Sequence, residues 1–148
     1  MRYGAIDIGS NAVRLMVKEI REEAGVLWSD KVAYTRIPIR LGEDVFETGR
    51  IGSDKEKALT KAIGGFRLLL QSMGVTEYRA CATSAMREAE NGPEVVRAIL
   101  DKTGVDIEII RGREEADLIF SNFTIATLDR DQDYLYVDVG GGSTELTL

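Results

Sequence analysis

The 148-residue chain contains no histidine. That absence removes the Ser-His-Asp triad and every His-ligated zinc site. Cysteine occurs once, as Cys81, so neither an internal disulfide nor a thiolate zinc site is available. Cys81 lies in the short apolar-rich segment Tyr78-Arg79-Ala80-Cys81-Ala82 and is expected to be a buried small hydrophobe. Without a histidine to activate it, it is a poor nucleophile. No apolar run is long enough to cross a bilayer and no signal-peptide pattern opens the chain, so a cytoplasmic protein is expected. Positive charge is also short. The net charge is −6, which argues against sequence-specific nucleic-acid binding over a broad surface. The imbalance is local: residues 1–41 hold 7 basic and 5 acidic side chains, and residues 42–148 hold 12 and 20. Any phosphate-rich ligand must therefore be met by particular arginines rather than a general field. What chemistry remains belongs to carboxylates, Arg, Lys, backbone amides and a hard cation.

What the chain does have is two glycine turns, each preceded by an aspartate. The second is Asp138-Val139-Gly140-Gly141-Gly142-Ser143-Thr144-Glu145, set between Tyr134-Leu135-Tyr136-Val137 and Leu146-Thr147-Leu148. Alternation on both sides reads as strand, tight turn, strand. Three glycines let the backbone bend sharply and approach a ligand, and their N–H groups can converge on an anion. Asp138 and Glu145 could hold a cation that neutralises the same anion. The first turn is Ala5-Ile6-Asp7-Ile8-Gly9-Ser10-Asn11. Two unrelated hairpin turns would explain each alone; the matched pair favours a grip on phosphate from both sides.

Tyr3–Ile8, Val13–Ile20 and Leu27–Ile37 read as an antiparallel meander, with Asn11 and Gly25 in its connections. Pro38 and Gly42 end that pattern, and residues 41–52 read as a loop. Arg36, Arg40 and Arg50, in or beside it, could reach an anion or serve as solvated loop charge. Ser53-Asp54-Lys55-Glu56 is a capping-box signature, so a helix is predicted from there to about Met73, with Gly74 as its stop. Ala58, Leu59, Ala62, Ile63, Phe66, Leu69 and Leu70 recur at helical spacing and form its core face. Gly64-Gly65 inside it suggests close packing.

A strand over Tyr78–Ala82 follows, then Thr83 or Ser84 capping a short helix with Arg87 in its first turn. Arg87 is either a surface partner of a glutamate or, at a strand's carboxyl end, a ligand contact. A helix from Asn91-Gly92-Pro93 to Gly104 and a strand over Val105–Ile110 come next. Gly112-Arg113-Glu114-Glu115 opens a helix to about Thr127, with Ala116, Ile119, Phe120 and Phe123 on its buried face. Acids at a helix start are stabilised by about 0.3–1 kcal/mol, which is one reason for Glu114 and Glu115. The other is that one of them faces the phosphate and polarises a water. Residues 1–127 read as one α/β domain, and 128–148 as a linker and the first hairpin of a second, similar domain.

Four segments together, Asp7-Ile8-Gly9-Ser10-Asn11 with Arg14-Leu15, Thr83-Ser84-Ala85-Met86-Arg87, Gly112-Arg113-Glu114-Glu115-Ala116 and Asp138 to Glu145, resemble the exopolyphosphatase and guanosine pentaphosphate phosphatase family in order and spacing. The resemblance spans the whole chain. It implies the actin-like, sugar-kinase-like architecture, in which two ribonuclease-H-like domains face a cleft; the element order fits the first domain. It implies hydrolysis of a terminal phosphoanhydride of polyphosphate or guanosine pentaphosphate with Mg²⁺. By position, Glu115 is the base that orients water, and Asp138 and Glu145 hold the metal. Gly140, Gly141, Gly142 and Ser143 form one phosphate loop, Gly9, Ser10 and Asn11 the other, and Arg87 clamps a phosphate oxygen. Ala12 departs from the family's usual Ser and lacks one hydroxyl donor. The family fold is roughly twice this length, consistent with two domains of ordinary size. The chain thus resembles an N-terminal portion with weak or no turnover alone. Its terminal hairpin is a candidate for strand exchange with a second copy, giving a homodimer. An ATP-dependent kinase of the same superfamily, a non-catalytic guanosine tetra- or pentaphosphate sensor and an actin-like scaffold domain are the competing readings.

Overall fold

A computed structural model describes residues 1–123, 134–141 and 144–147. Its order is β1 (Arg2–Ile8), β2 (Val13–Glu23), β3 (Val26–Ile37), α1 (Leu41–Thr48), α2 (Ser53–Ser72), β4 (Glu77–Ala82), α3 (Ser84–Glu88), α4 (Gly92–Thr103), β5 (Glu108–Ile109), α5 (Gly112–Phe123), β6 (Tyr136–Val139) and β7 (Thr144–Thr147). A five-stranded sheet runs β3-β2-β1-β4-β5, and β6 and β7 form a separate two-stranded sheet. β1–β2 and β2–β3 are antiparallel; β1–β4 and β4–β5 are parallel. This is the mixed α/β, ribonuclease-H-like arrangement that the resemblance implied. The expected boundary between residues 127 and 128 falls outside the described residues, as does the end of the α5 prediction, residues 124–127.

Period-2 alternation sorts the sheet into two faces. Ile6 and Ile8 of β1, Val13, Leu15 and Val17 of β2, and Ala80 and Ala82 of β4 are buried. Against them pack Leu59, Ile63, Phe66 and Leu70 of α2 and Val95 and Ile99 of α4, all buried. The 4-3-4 spacing of the α2 residues keeps them on one stripe of a 3.6-residue helix. Gly4 lets this layer close. A Cβ there would stand 2.6 Å from Leu70 Cδ2 and 3.0 Å from Tyr78 Cβ. The intervening residues Tyr3, Ala5, Asp7, Arg14, Met16, Arg79 and Cys81 are half-buried or exposed on the opposite face.

Several expectations are corrected. Residues 41–48 are helical, because Leu41 and Val45, four apart, are both buried, and Arg40 supplies the left-handed turn (φ 58°) into the helix. No capping box forms at Ser53: Gly52 is the N-cap, its carbonyl accepts from Glu56 N–H at 2.9 Å, and no side chain caps that end. The strand over 105–110 shortens to Glu108–Ile109. Arg87 lies in the last turn of five-residue α3, not its first, and Thr83 at the N-cap makes no side-chain cap bond. Packing does not require Gly64-Gly65: a Cβ at Gly64 would meet Thr103 Cγ2 at an ordinary 3.7 Å, and one at Gly65 would meet nothing within 4 Å. Ala116 and Ile119 are half-buried rather than core, since α5 borders a cleft. Among the described residues no helix is long and apolar enough to cross a membrane.

Candidate active site

The carboxyl ends of β1 and β4 lie side by side, because the two strands are parallel and in register from Tyr3–Glu77 to Ile8–Ala82. Thr83 N–H donates to Ile8 carbonyl at 3.1 Å and so joins the two strand exits. The loop after β1 is held tightly. Gly9 N–H donates to Ala12 carbonyl, Arg40 N–H to Asn11 carbonyl and Gly42 N–H to Ser10 carbonyl, at 3.1, 2.9 and 2.9 Å. Ser10 Oγ and Ser84 Oγ share a buried hydrogen bond of 2.8 Å, tying this loop to the start of α3. The loop is therefore preorganised before any ligand arrives.

A cleft of about 570 Å³ opens beside it. Its lining joins Gly9, Ser10 and Asn11 to Gly140 and Gly141 from the β6–β7 turn and to Glu115 from α5. The two glycine turns meet closely. A Cβ added at Gly141 would fall 2.7 Å from Asn11 Cγ, so a larger residue there would push the exposed Asn11 amide aside. Of the acid pair at the start of α5, Glu115 lines the cleft, whereas Glu114 pairs with Arg79 at 2.7 Å. Arg87 does not line the cleft. Its Nη1 donates to Ile110 carbonyl at 2.9 Å and to Glu115 Oε2 at 3.3 Å, in a pair whose side chains are largely buried. Asp138 and Glu145 are register partners across the β6–β7 hairpin. Gly142 and Ser143 lie outside the described residues.

The floor of the cleft was not anticipated as a site. It consists of the sheet's second face: Ala5 and Asp7 of β1, Arg14 of β2, Arg79 and Cys81 of β4. Arg14 pairs with Asp7 at 2.5 Å. Arg79 bridges Glu108 of β5, at 2.6 Å, and Glu114 of α5, and these bonds hold its guanidinium charged and lower the Glu108 pKa. Cys81 is half-buried on this floor rather than in the core; burial pushes its thiol pKa up, with Arg79 opposing. The signal for these residues was the alternation itself, since every second residue of β1 and β4 points away from the core.

The profile of the Ppx/GppA phosphatase family matches residues 17–148. The chain belongs to that family. Among its Ppx/GppA relatives, Exopolyphosphatase 1 of Mycobacterium tuberculosis H37Rv is 32% identical over 147 residues, covering 99% of this chain and 42% of that protein. A bifunctional 3-dehydroquinate synthase/phosphatase of Fusobacterium nucleatum is 32% identical over 149 residues, covering 97% of this chain and 22% of that protein. The crystal structure of an exopolyphosphatase from Cytophaga hutchinsonii superposes with TM-score 0.88 at 27% identity, covering 99% of this chain and 46% of the other. The Ppx/GppA member from Aquifex aeolicus gives TM-score 0.81 at 28% identity, with 99% and 46% covered. The chain thus spans less than half the length of these Ppx/GppA relatives.

Among the described residues no three His, Cys, Asp or Glu side chains converge as a metal site.

Proposed function

We propose that this chain is the phosphate-gripping part of a phosphohydrolase that removes the terminal phosphate from inorganic polyphosphate or guanosine pentaphosphate. What supports this reading above all is the meeting of Gly9–Asn11, Gly140–Gly141 and Glu115 around one cleft. Backbone N–H groups of both turns, completed by Gly142 and Ser143, would cradle phosphate oxygens. Ser10 is already fixed by Ser84, so little ordering is needed when phosphate binds. Glu115 is the carboxylate at hand to orient a water in line with the terminal phosphorus and to accept its proton. Arg87, now paired with Glu115, would turn toward a phosphate oxygen when the anion enters. Asp138 and Glu145 would hold Mg²⁺, which when bound neutralises charge on the phosphate oxygens. Phosphoryl transfer of this kind is carried by positioning and charge neutralisation, with little covalent work for the protein.

The test is phosphate release from polyphosphate and from guanosine pentaphosphate by the full gene product with Mg²⁺. Release from either supports the reading. Tight binding of the guanosine nucleotide without release from either substrate replaces it with a sensor, and consumption of ATP in place of phosphate release replaces it with a kinase.

A further inference from the structure

The three arginines near the end of the meander have different fates. Arg50 pairs with Glu90 and Arg40 with Glu43. Arg36 is exposed and has no side-chain partner among the described residues. It is also opposite Arg14: the β2–β3 register pairs Arg14 with Arg36, and the β1–β2 register pairs Asp7 with Arg14. Residues directly opposite on antiparallel strands share a face. Arg36, Arg14, Asp7 and Cys81 therefore form one row across four strands, and the last three line the cleft floor. Adjacent strands are about 4.8 Å apart, so Arg36 lies one strand beyond the lining, toward open solvent. Asp7 neutralises Arg14, but nothing in this row neutralises Arg36. A bound anion there would meet a guanidinium charge that no carboxylate of the row already holds.

Resting on the function proposed above, we infer that Arg36 is a specificity residue that grips the outgoing part of a linear polyphosphate, after the terminal phosphate has entered between the glycine turns. The row gives such a chain a path from Asn11 across β2 to β3. The backbone N–H of Arg40, four residues past Arg36, is bonded to Asn11 carbonyl, so the path and the loop are parts of one rigid edge. A short substrate ends before it reaches β3 and does not touch Arg36.

The experiment compares wild type, Arg36→Gln and Arg36→Lys in the full gene product, with long-chain polyphosphate and with tripolyphosphate. For Arg36→Gln, KM for the long chain should rise about fivefold, as expected for one exposed guanidinium–phosphate contact, with kcat and the tripolyphosphate KM unchanged. Arg36→Lys should recover part of that loss. An unchanged long-chain KM, or an equal rise for both substrates, overturns the inference and leaves the proposed function standing. A wild-type protein that releases phosphate from guanosine pentaphosphate but from neither polyphosphate overturns the inference alone; one that releases it from none of the three removes the proposed function as well.

Discussion

Ser10→Ala removes one hydroxyl from the bond that holds the first glycine turn to α3. Ser10 is 4% and Ser84 3% exposed, and their oxygens are 2.8 Å apart. Truncating one partner leaves the other hydroxyl without its bond in a place that water barely reaches, a loss of about 1–3 kcal/mol. In a chain of this length 1 kcal/mol moves the melting temperature by about 2–4 °C, so a drop of several degrees is expected. Ser84→Ala should cost a similar amount. The double variant orphans neither group, and should lose less than the sum of the singles by at least about 0.5 kcal/mol. Urea unfolding of the four proteins measures all three differences. Strictly additive losses, or a Ser10→Ala change within about 0.5 kcal/mol of zero, would refute the account of the preorganised loop.

Glu115→Gln keeps the shape of the cleft and removes the carboxylate proposed as the base; turnover by the full gene product should fall about 10²–10⁴-fold while substrate affinity stays within about twofold, as read by single-turnover kinetics and calorimetry. Gly141→Ala pushes the Asn11 amide aside at the mouth of the cleft, so KM for phosphate substrates should rise while urea stability changes little; an unchanged KM would place the phosphate elsewhere. Asp44 accepts from Lys55 and from Gly52 N–H; burial raises its pKa, but these bonds outweigh that and lower it from 3.8. The stability it contributes is therefore complete above about pH 3.8 and is lost as pH falls through its lower folded value, so Asp44→Asn should flatten the acid limb of a stability–pH curve.

Much of this was legible in the residues. The meander, the long α2 helix with Gly74 as its stop, α4 ending at Gly104 and the terminal hairpin are local patterns: alternation, helical spacing and glycine punctuation, each decided within a few residues. Residues 41–48 were missed because Pro38 and Gly42 are loop signals locally. The helix forms there because Leu41 and Val45 find the core, which no short window contains. The Ser53 box failed for a similar reason: the backbone of Gly52, bonded to Asp44, already fixes the start of α2.

The sequence by itself determined the kinds of group available. With no histidine and one cysteine, carboxylates, arginines, lysines, backbone amides and a hard cation were left for chemistry, and the glycine turns marked where an anion could be approached. Only the tertiary structure decided which of them meet. It turned Glu115 into the cleft and Glu114 onto Arg79, held Arg87 behind Glu115, brought Gly141 against Asn11 across 130 positions of chain, and left Arg36 opposite Arg14. Composition and periodicity are properties of neighbours along the chain. A site is a convergence of distant residues, and strand order and register set it.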